Sequence, residues 1–385
     1  MIGWRRLALP AAAALIVGVA VAATRVAPFT SGSTAAPASE AERRVWSQAD
    51  ELNHIMERGN VAYADAPLAA YVQGVMDRLF PEFRGVIRVT LLKSPQLNAF
   101  AVADGHIYVN IGLLARFQNE AQLATVLAHE GTHFTHRHGY LGQQSLKDSA
   151  ALATFGGMLG VPVLPQLIAA TSMFGFSREL ETEADQVGFQ RLLQAAYDVR
   201  EAPRVFEHLL REVQSEEIQE PYFFATHPKL KDRIDNMTRL SSRAVGGGDG
   251  NDRAAYARTV QQARLDNLEN MLSMGRAKQA LLMLEDAQHA AELPPHAPYY
   301  LGEAYRLRGQ PGDLYRAEAA YRRAIEAAAD FAPSHRALGM VLLKTNRHGE
   351  AATSFERYLA LAPEAKDRKY VESYLRAAKQ QGESR

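Results

Sequence analysis

The chain has no cysteine among its 385 residues. That absence removes disulfide scaffolds, thiolate metal sites, cysteine nucleophiles and a lipid-modified N-terminal cysteine. Net charge is missing too, because 43 basic residues balance 43 acidic ones. No bulk field favours nucleic acid or an anionic surface, so partners have to be argued from individual sites. A third absence is local: no charged residue occurs from Ser149 to Ser177. The length of that run suits a membrane span, yet Gly156, Gly157, Pro162 and Pro165 break it into two short helical pieces. Residues 149–177 therefore read as a buried helical hairpin, a lid over a neighbouring site, or an element that touches a membrane.

What is present is ordinary globular composition, 47% hydrophobic and 22% charged, in a chain long enough for two or three domains. Arg5 and Arg6 precede an uncharged apolar run from Leu7 to Ala23. Residues 1–24 thus read as a signal peptide or an N-terminal membrane anchor, with small-residue cleavage patterns at Ala20-Val21-Ala22 and Ala36-Pro37-Ala38. Either reading delivers the bulk of the chain beyond the inner membrane, to the periplasm of a Gram-negative bacterium. Residues 25–40, rich in Ala, Ser, Thr and Pro, are expected to form a flexible tether. Residues 41–243 alternate helical and strand patterns. A Gly- and Asp-rich linker at 244–256 then precedes a helical region at 257–385.

That last region repeats itself. Leu301, Gly302, Tyr305, Ala317, Tyr321 and Ala324 recur as Leu338, Gly339, Leu342, Ala351, Phe355 and Tyr358, with a more degenerate unit around Gly275, Ala280 and Leu284. Small residues where paired helices touch, with larger apolar ones between, resemble tetratricopeptide repeats. Three helix pairs and a capping helix over Tyr370–Gln381 are expected, stacked into a solenoid that binds protein or peptide.

The chemistry is concentrated in NEAQLATVLAHEGTHFTHRHG, residues 119–139. Asn119 can cap a helix, with Gln122 three residues on and Glu120 in the positive first turn. Leu123, Val126, Leu127 and Phe134 form its apolar stripe, and Gly139 is expected to end it. His129 and His133 are four apart, so both imidazoles leave one helix face and can reach one zinc ion at about 2.0–2.1 Å. Glu130 lies beside the first of them, placed to serve as a general base. His136 and His138 lie close by, but a third ligand from the same helix would strain the geometry. The long form of the motif needs a histidine six residues after His133, where this chain has Gly139. The third ligand must then come from elsewhere, and SRELETEADQVG (177–188) offers Glu179, Glu181, Glu183 and Asp185. A ligating carboxylate with a second acid one turn later is chemically sensible, because the second can orient a ligand imidazole. Both Glu181/Asp185 and Glu179/Glu183 meet that condition. Residues 98–111 read as two short strands around a turn, either a plain core hairpin or an edge placed to hold an extended substrate beside the metal helix, or both.

Four ordered motifs, in 98–114, 129–138, 177–185 and THPKLKDRI (226–234), resemble the gluzincin metallopeptidases that include HtpX, the CAAX prenyl endopeptidases and the Oma-type proteases. In architecture the chain most resembles BepA-like periplasmic proteases with C-terminal tetratricopeptide repeats. The resemblance implies a mainly α chain: an α+β zincin catalytic domain with a small sheet, followed by an α-solenoid. It implies Zn2+ held by His129, His133 and Glu181, with Asp185 supporting a ligand, and it raises His227 and Arg233 as active-site residues. His227 would approach the metal as a regulatory ligand, or either group would steady an oxyanion. The family has a Pro-Gly-Gly-like turn where this chain has Ala103-Asp104-Gly105. The implied function is hydrolysis of misfolded or stalled envelope proteins, with envelope assembly machinery as a further partner and no role for nucleic acid. The rival reading is an assembly scaffold whose zinc site is structural, closed by His227 as a fourth ligand.

Overall fold

The computed structural model describes residues 26–147, 176–215, 230–244, 248, 253–286 and 290–383. The signal or anchor segment, most of the uncharged run and His227 lie outside the described residues. Among the described residues no helix is long and apolar enough to cross a membrane. The chain is mainly α; the described residues form one three-stranded sheet in the N-terminal half and helices alone beyond Arg253.

Two helices, α1 (Glu40–Arg58) and α2 (Ala66–Leu79), precede the sheet. Its strands are β1 (Arg88–Leu92), β2 (Ala99–Ala101) and β3 (His106–Asn110), in the order β1-β3-β2. β1 runs parallel to β3, with Val89 opposite Ile107, and β2 runs antiparallel to it, with Phe100 opposite Tyr108. β2 and β3 are the two strands expected around the turn. β1 is an additional strand whose RVTLL sequence carries the β-branched and apolar residues that suit one. Gly105 has φ +94°, in the left-handed region that L side chains rarely adopt, so Ala103-Asp104-Gly105 still turns tightly without the family's glycine pair.

A short helix α3 (Ile111–Leu114) leads into α4 (Glu120–Thr135), the central helix of the catalytic half. Every residue of α4 from Ala121 to Thr135 is buried, so the expected apolar stripe is one face of a helix enclosed all round. α2, β2, α6 (Arg178–Gln194) and α7 (Glu201–Ser215) pack against it. Its hydroxyls are satisfied within the helix, Thr125 donating to the Ala121 carbonyl at 2.8 Å and Thr132 to that of Ala128 at 2.7 Å. α4 stops at Thr135 rather than at Gly139. Arg137 takes φ +61°, and α5 (His138–Lys147) starts at the next residue and runs through Gly139. The strained arginine is held from three sides: Glu42 pairs with it, the Ala27 carbonyl accepts from Nη1 at 3.1 Å, and its guanidinium lies 5.0 Å over the Phe29 ring.

Those contacts involve part of the segment read as a tether. From residue 26 onward the segment lies against the end of α4: Phe29 is buried between Trp46 and Phe134, and its N–H donates to the Thr135 carbonyl at 2.8 Å. An aromatic side chain that fills a ready-made apolar slot outweighs the flexibility of its Ala- and Ser-rich neighbours.

Past α8 (Leu230–Arg243) come α9 (Arg253–Ser273), α10 (Ala277–Glu285), α11 (Pro298–Arg308), α12 (Asp313–Ala327), α13 (Ala332–Lys344), α14 (His348–Leu361) and α15 (Arg368–Glu383). α11 packs on α12, and α13 on α14. Gly302 abuts the Tyr321 ring just as Gly339 abuts that of Phe355, so the two pairs share one packing rule. The last residues of the expected linker are structural. Tyr256, Val260 and Ala263 of α9 belong to the same apolar core as α2, α4 and α7. The Tyr256 hydroxyl donates to the Leu114 carbonyl, and Arg264, fully buried, donates to that of Phe117, both at 2.9 Å. A chain ended at Arg243 is therefore expected to lose cooperative unfolding. Tyr256→Ala alone is expected to cost about 3–5 kcal/mol, as large aromatic truncations in cores do. Calorimetry of the two variants beside the full chain checks this.

Candidate metal centre

The cap of α4 forms as the sequence indicates, the Asn119 side chain accepting from the Gln122 N–H at 3.0 Å. The Gln122 side chain does not close a reciprocal box. Its carbonyl accepts from the Gln118 N–H at 2.9 Å and its amide donates to Glu201 at 2.8 Å. Glu120, favoured by the helix dipole, is gripped by Arg78, Tyr71 and Tyr197. With its N-terminus fixed, α4 presents His129 and His133 on the face toward α6.

α6 is capped by Ser177, whose side chain accepts from the Leu180 N–H at 3.4 Å, and it separates the four acids that spacing leaves open. Glu181 and Asp185 are buried against α4, Glu183 is half-buried and Glu179 is exposed. Gly188 permits the close crossing, since a Cβ there would lie 3.2 Å from the backbone nitrogen of His129. Three side chains, His129, His133 and Glu181, converge as a group able to hold one metal ion. The two Nε2 atoms are 2.9 Å apart, and Glu181 brings Oε2 to 3.5 Å from that of His129 and Oε1 to 3.5 Å from that of His133.

Asp185 sets which way the His129 nitrogens face. Its Oδ1 lies 3.0 Å from His129 Nδ1. A carboxylate accepts, so the His129 proton belongs on Nδ1 and the Nε2 lone pair faces Glu181. Two imidazole lone pairs and a carboxylate aimed at one buried point repel each other unless a cation lies between them, and two nitrogens with one oxygen suit zinc. The donor set fits the metal.

Arg233 of α8 reaches the same point from behind. It is 3% exposed and donates through Nη2 to Asp185 Oδ1 at 2.7 Å and through Nε at 3.2 Å. Nη2 also lies 2.9 Å from His129 Nδ1, since both groups converge on one carboxylate, and the guanidinium sits 4.2 Å over the Phe206 ring. Burial pulls the arginine pKa down, but the Asp185 and Glu181 carboxylates outweigh it and hold the value above the ordinary one. Arg233 thus stands on the Nδ1 side of His129, with Nη1 also reaching to 3.9 Å from Glu181 Oε2.

Glu130 is completely buried, and its Oε2 accepts from the Ala101 N–H of edge strand β2 at 3.0 Å. The base candidate and the edge strand are thereby tied together. Beside them a narrow recess, partly open to solvent, reaches His133 past Ala101, Val102, Phe134 and Phe176. The Phe176 ring stacks on the His133 imidazole with centroids 3.9 Å apart. Of the neighbouring histidines, His136 is half-buried, with burial lowering its pKa, whereas His138 is wholly buried and its Nδ1 lies 2.9 Å from that of His133.

A buried pair of histidines one helical turn apart, a glutamate from a crossing helix and an acid beside the first histidine make up a zinc metallopeptidase centre. Comparison with known proteins agrees. Residues 63–241 match the model of Peptidase family M48. Over 194 residues it is 28% identical to the Beta-barrel assembly-enhancing protease of Escherichia coli (strain K12), an alignment covering 46% of this chain and 40% of that protein. Over 125 residues it is 37% identical to the Mitochondrial metalloendopeptidase OMA1 of Arabidopsis thaliana, covering 31% and 25%. The OMA1 of Schizosaccharomyces pombe is 29% identical over 177 residues, covering 44% and 51%. The chain therefore spans about 40% of the length of the bacterial relative it matches.

Proposed function

We propose that the chain is a zinc-dependent endopeptidase of the cell envelope that hydrolyses misfolded or stalled envelope proteins. One observation carries the reading: two imidazole nitrogens and a carboxylate converge on a buried point next to a glutamate held on an edge strand. His129, His133 and Glu181 would hold a single zinc ion, whose Lewis acidity would make water nucleophilic near neutral pH. Glu130 would take the proton from the attacking water on a carboxylate oxygen and return it to the leaving amine. β2, at the sheet edge with the recess beside it, would align an extended polypeptide by main-chain hydrogen bonds. Asp185 fixes the His129 tautomer, and Arg233 neutralises Asp185. Arg233 then acts by positioning rather than by touching substrate. His227 keeps the role its motif implies, as a ligand or oxyanion partner.

Placement in the periplasm is supported by the basic and apolar leader, the lack of cysteine and the bacterial relative. The helix pairs beyond Arg253, read as tetratricopeptide-like repeats, would present substrate or dock on assembly machinery. An assembly scaffold with a latent site remains the second reading, favoured by the complete burial of Glu130. Incubation of the full chain with one protein in folded and unfolded forms separates the two. Cleavage of the unfolded form, blocked by a zinc chelator, is expected. Binding of the unfolded form without cleavage supports the scaffold.

A further inference from the structure

His138 is wholly buried yet belongs to none of the ligand, base or positioning roles above. Its Nδ1 lies 2.9 Å from Nδ1 of His133, the nitrogen on the opposite side of that ring from the convergence point. The rings meet edge to face at 74°, with centroids 4.9 Å apart. On its far side, His138 Nε2 faces Glu183 Oε2 at 3.8 Å. The contact is made by the chain reversal at Arg137, where a non-glycine residue held at φ +61° turns the first residue of α5 back over α4. Strained backbone of this kind persists only where its surroundings enforce it, and here Glu42, the Ala27 carbonyl and Phe29 do so.

Only one proton arrangement lets His133 serve as a ligand. Were His138 the donor, the neutral His133 ring would carry its proton on Nε2, pointing at Glu181 and His129. With His138 Nδ1 as acceptor, His133 carries its proton on Nδ1 and turns a lone pair toward the convergence point, while the His138 proton moves to Nε2 on the Glu183 side. We propose that His138 is the positioning residue for the second ligand, doing for His133 through a neutral imidazole what Asp185 does for His129 through a carboxylate. The two ligands would then be oriented by unlike partners, one charged and one neutral, which limits the negative charge gathered around the metal. This inference rests on the zinc-site reading above.

Zinc affinity of the purified full chain, measured by competition with a chelator, tests it. His138→Leu removes the acceptor and is expected to weaken zinc binding by roughly 10–100-fold. His138→Asn keeps an acceptor oxygen near the Nδ1 position and is expected to recover most of that loss, a rescue that space filling alone would not give. Should His138→Leu fail to fold, His138→Ala set against His138→Asn makes the same comparison. Wild-type zinc affinity in His138→Leu overturns the proposal, as does an equal loss in two folded variants, Asn and Leu. If His133→Ala also leaves zinc binding unchanged, the site reading beneath the proposal has failed instead.

Discussion

Glu130→Gln is expected to retain zinc and to lose peptide hydrolysis by at least roughly 10²–10⁴-fold, the range over which a positioned general base contributes. The substitution is well matched to its surroundings. A glutamine oxygen can still accept from the Ala101 N–H that now bonds Glu130 at 3.0 Å, so the side chain keeps its place beside β2. What it cannot do is take a proton from water. Metal content by elemental analysis and cleavage of an unfolded protein, measured on one preparation, separate loss of the base from loss of the site. Unchanged cleavage in a zinc-loaded Glu130→Gln would remove Glu130 from the mechanism.

Asp185→Ala is expected to have the largest combined effect on stability and metal binding. The carboxylate accepts from Arg233 through Nη2 and Nε and lies 3.0 Å from His129 Nδ1. Deleting it takes the hydrogen-bonded partner from a guanidinium that is 3% exposed and leaves it only the Glu181 carboxylate at 3.9 Å, and breaking a buried pair costs up to about 3–5 kcal/mol. It also frees the His129 tautomer, which should weaken zinc binding by roughly 10–100-fold. The two effects separate in a double variant. Asp185→Ala with Arg233→Met replaces the buried pair with apolar groups and is expected to recover much of the melting temperature but little of the zinc affinity. Full recovery of both would mean that Asp185 serves packing rather than the ligand.

Much of the site is legible in the residues alone, and the limits have physical causes. The spacing of His129 and His133 places both rings on one helix face whatever surrounds the helix, because that relation is local. The choice of Glu181 is not local: four acids in seven residues differ only in which way α6 faces, and Gly188 against the His129 backbone settles that. The end of α4 is not legible because Gly139 is the natural stop in sequence, whereas the left-handed residue is Arg137, stabilised by Glu42 and Phe29 from far upstream. His138 was visible as a nearby histidine, but only that reversal brings it onto His133. Phe29 and Tyr256, within the segments read as tether and linker, are packed for one shared reason. Composition describes the average of a segment, while Phe29 and Tyr256 are single aromatic anchors whose slots are built by other parts of the chain. β1 is not legible in the sequence because a strand of five residues carries little period.

Zinc titration into chelated full chain, followed by cleavage of an unfolded protein at each step, bears most directly on the central claim. The metal-free chain should be inactive, and activity should rise linearly and level off at one equivalent of zinc, with Glu181→Ala failing to recover at the same concentrations. Cleavage that survives complete removal of zinc, or saturation of a tight site in the wild type with no cleavage at any point, would contradict a zinc-dependent peptidase built on His129, His133 and Glu181.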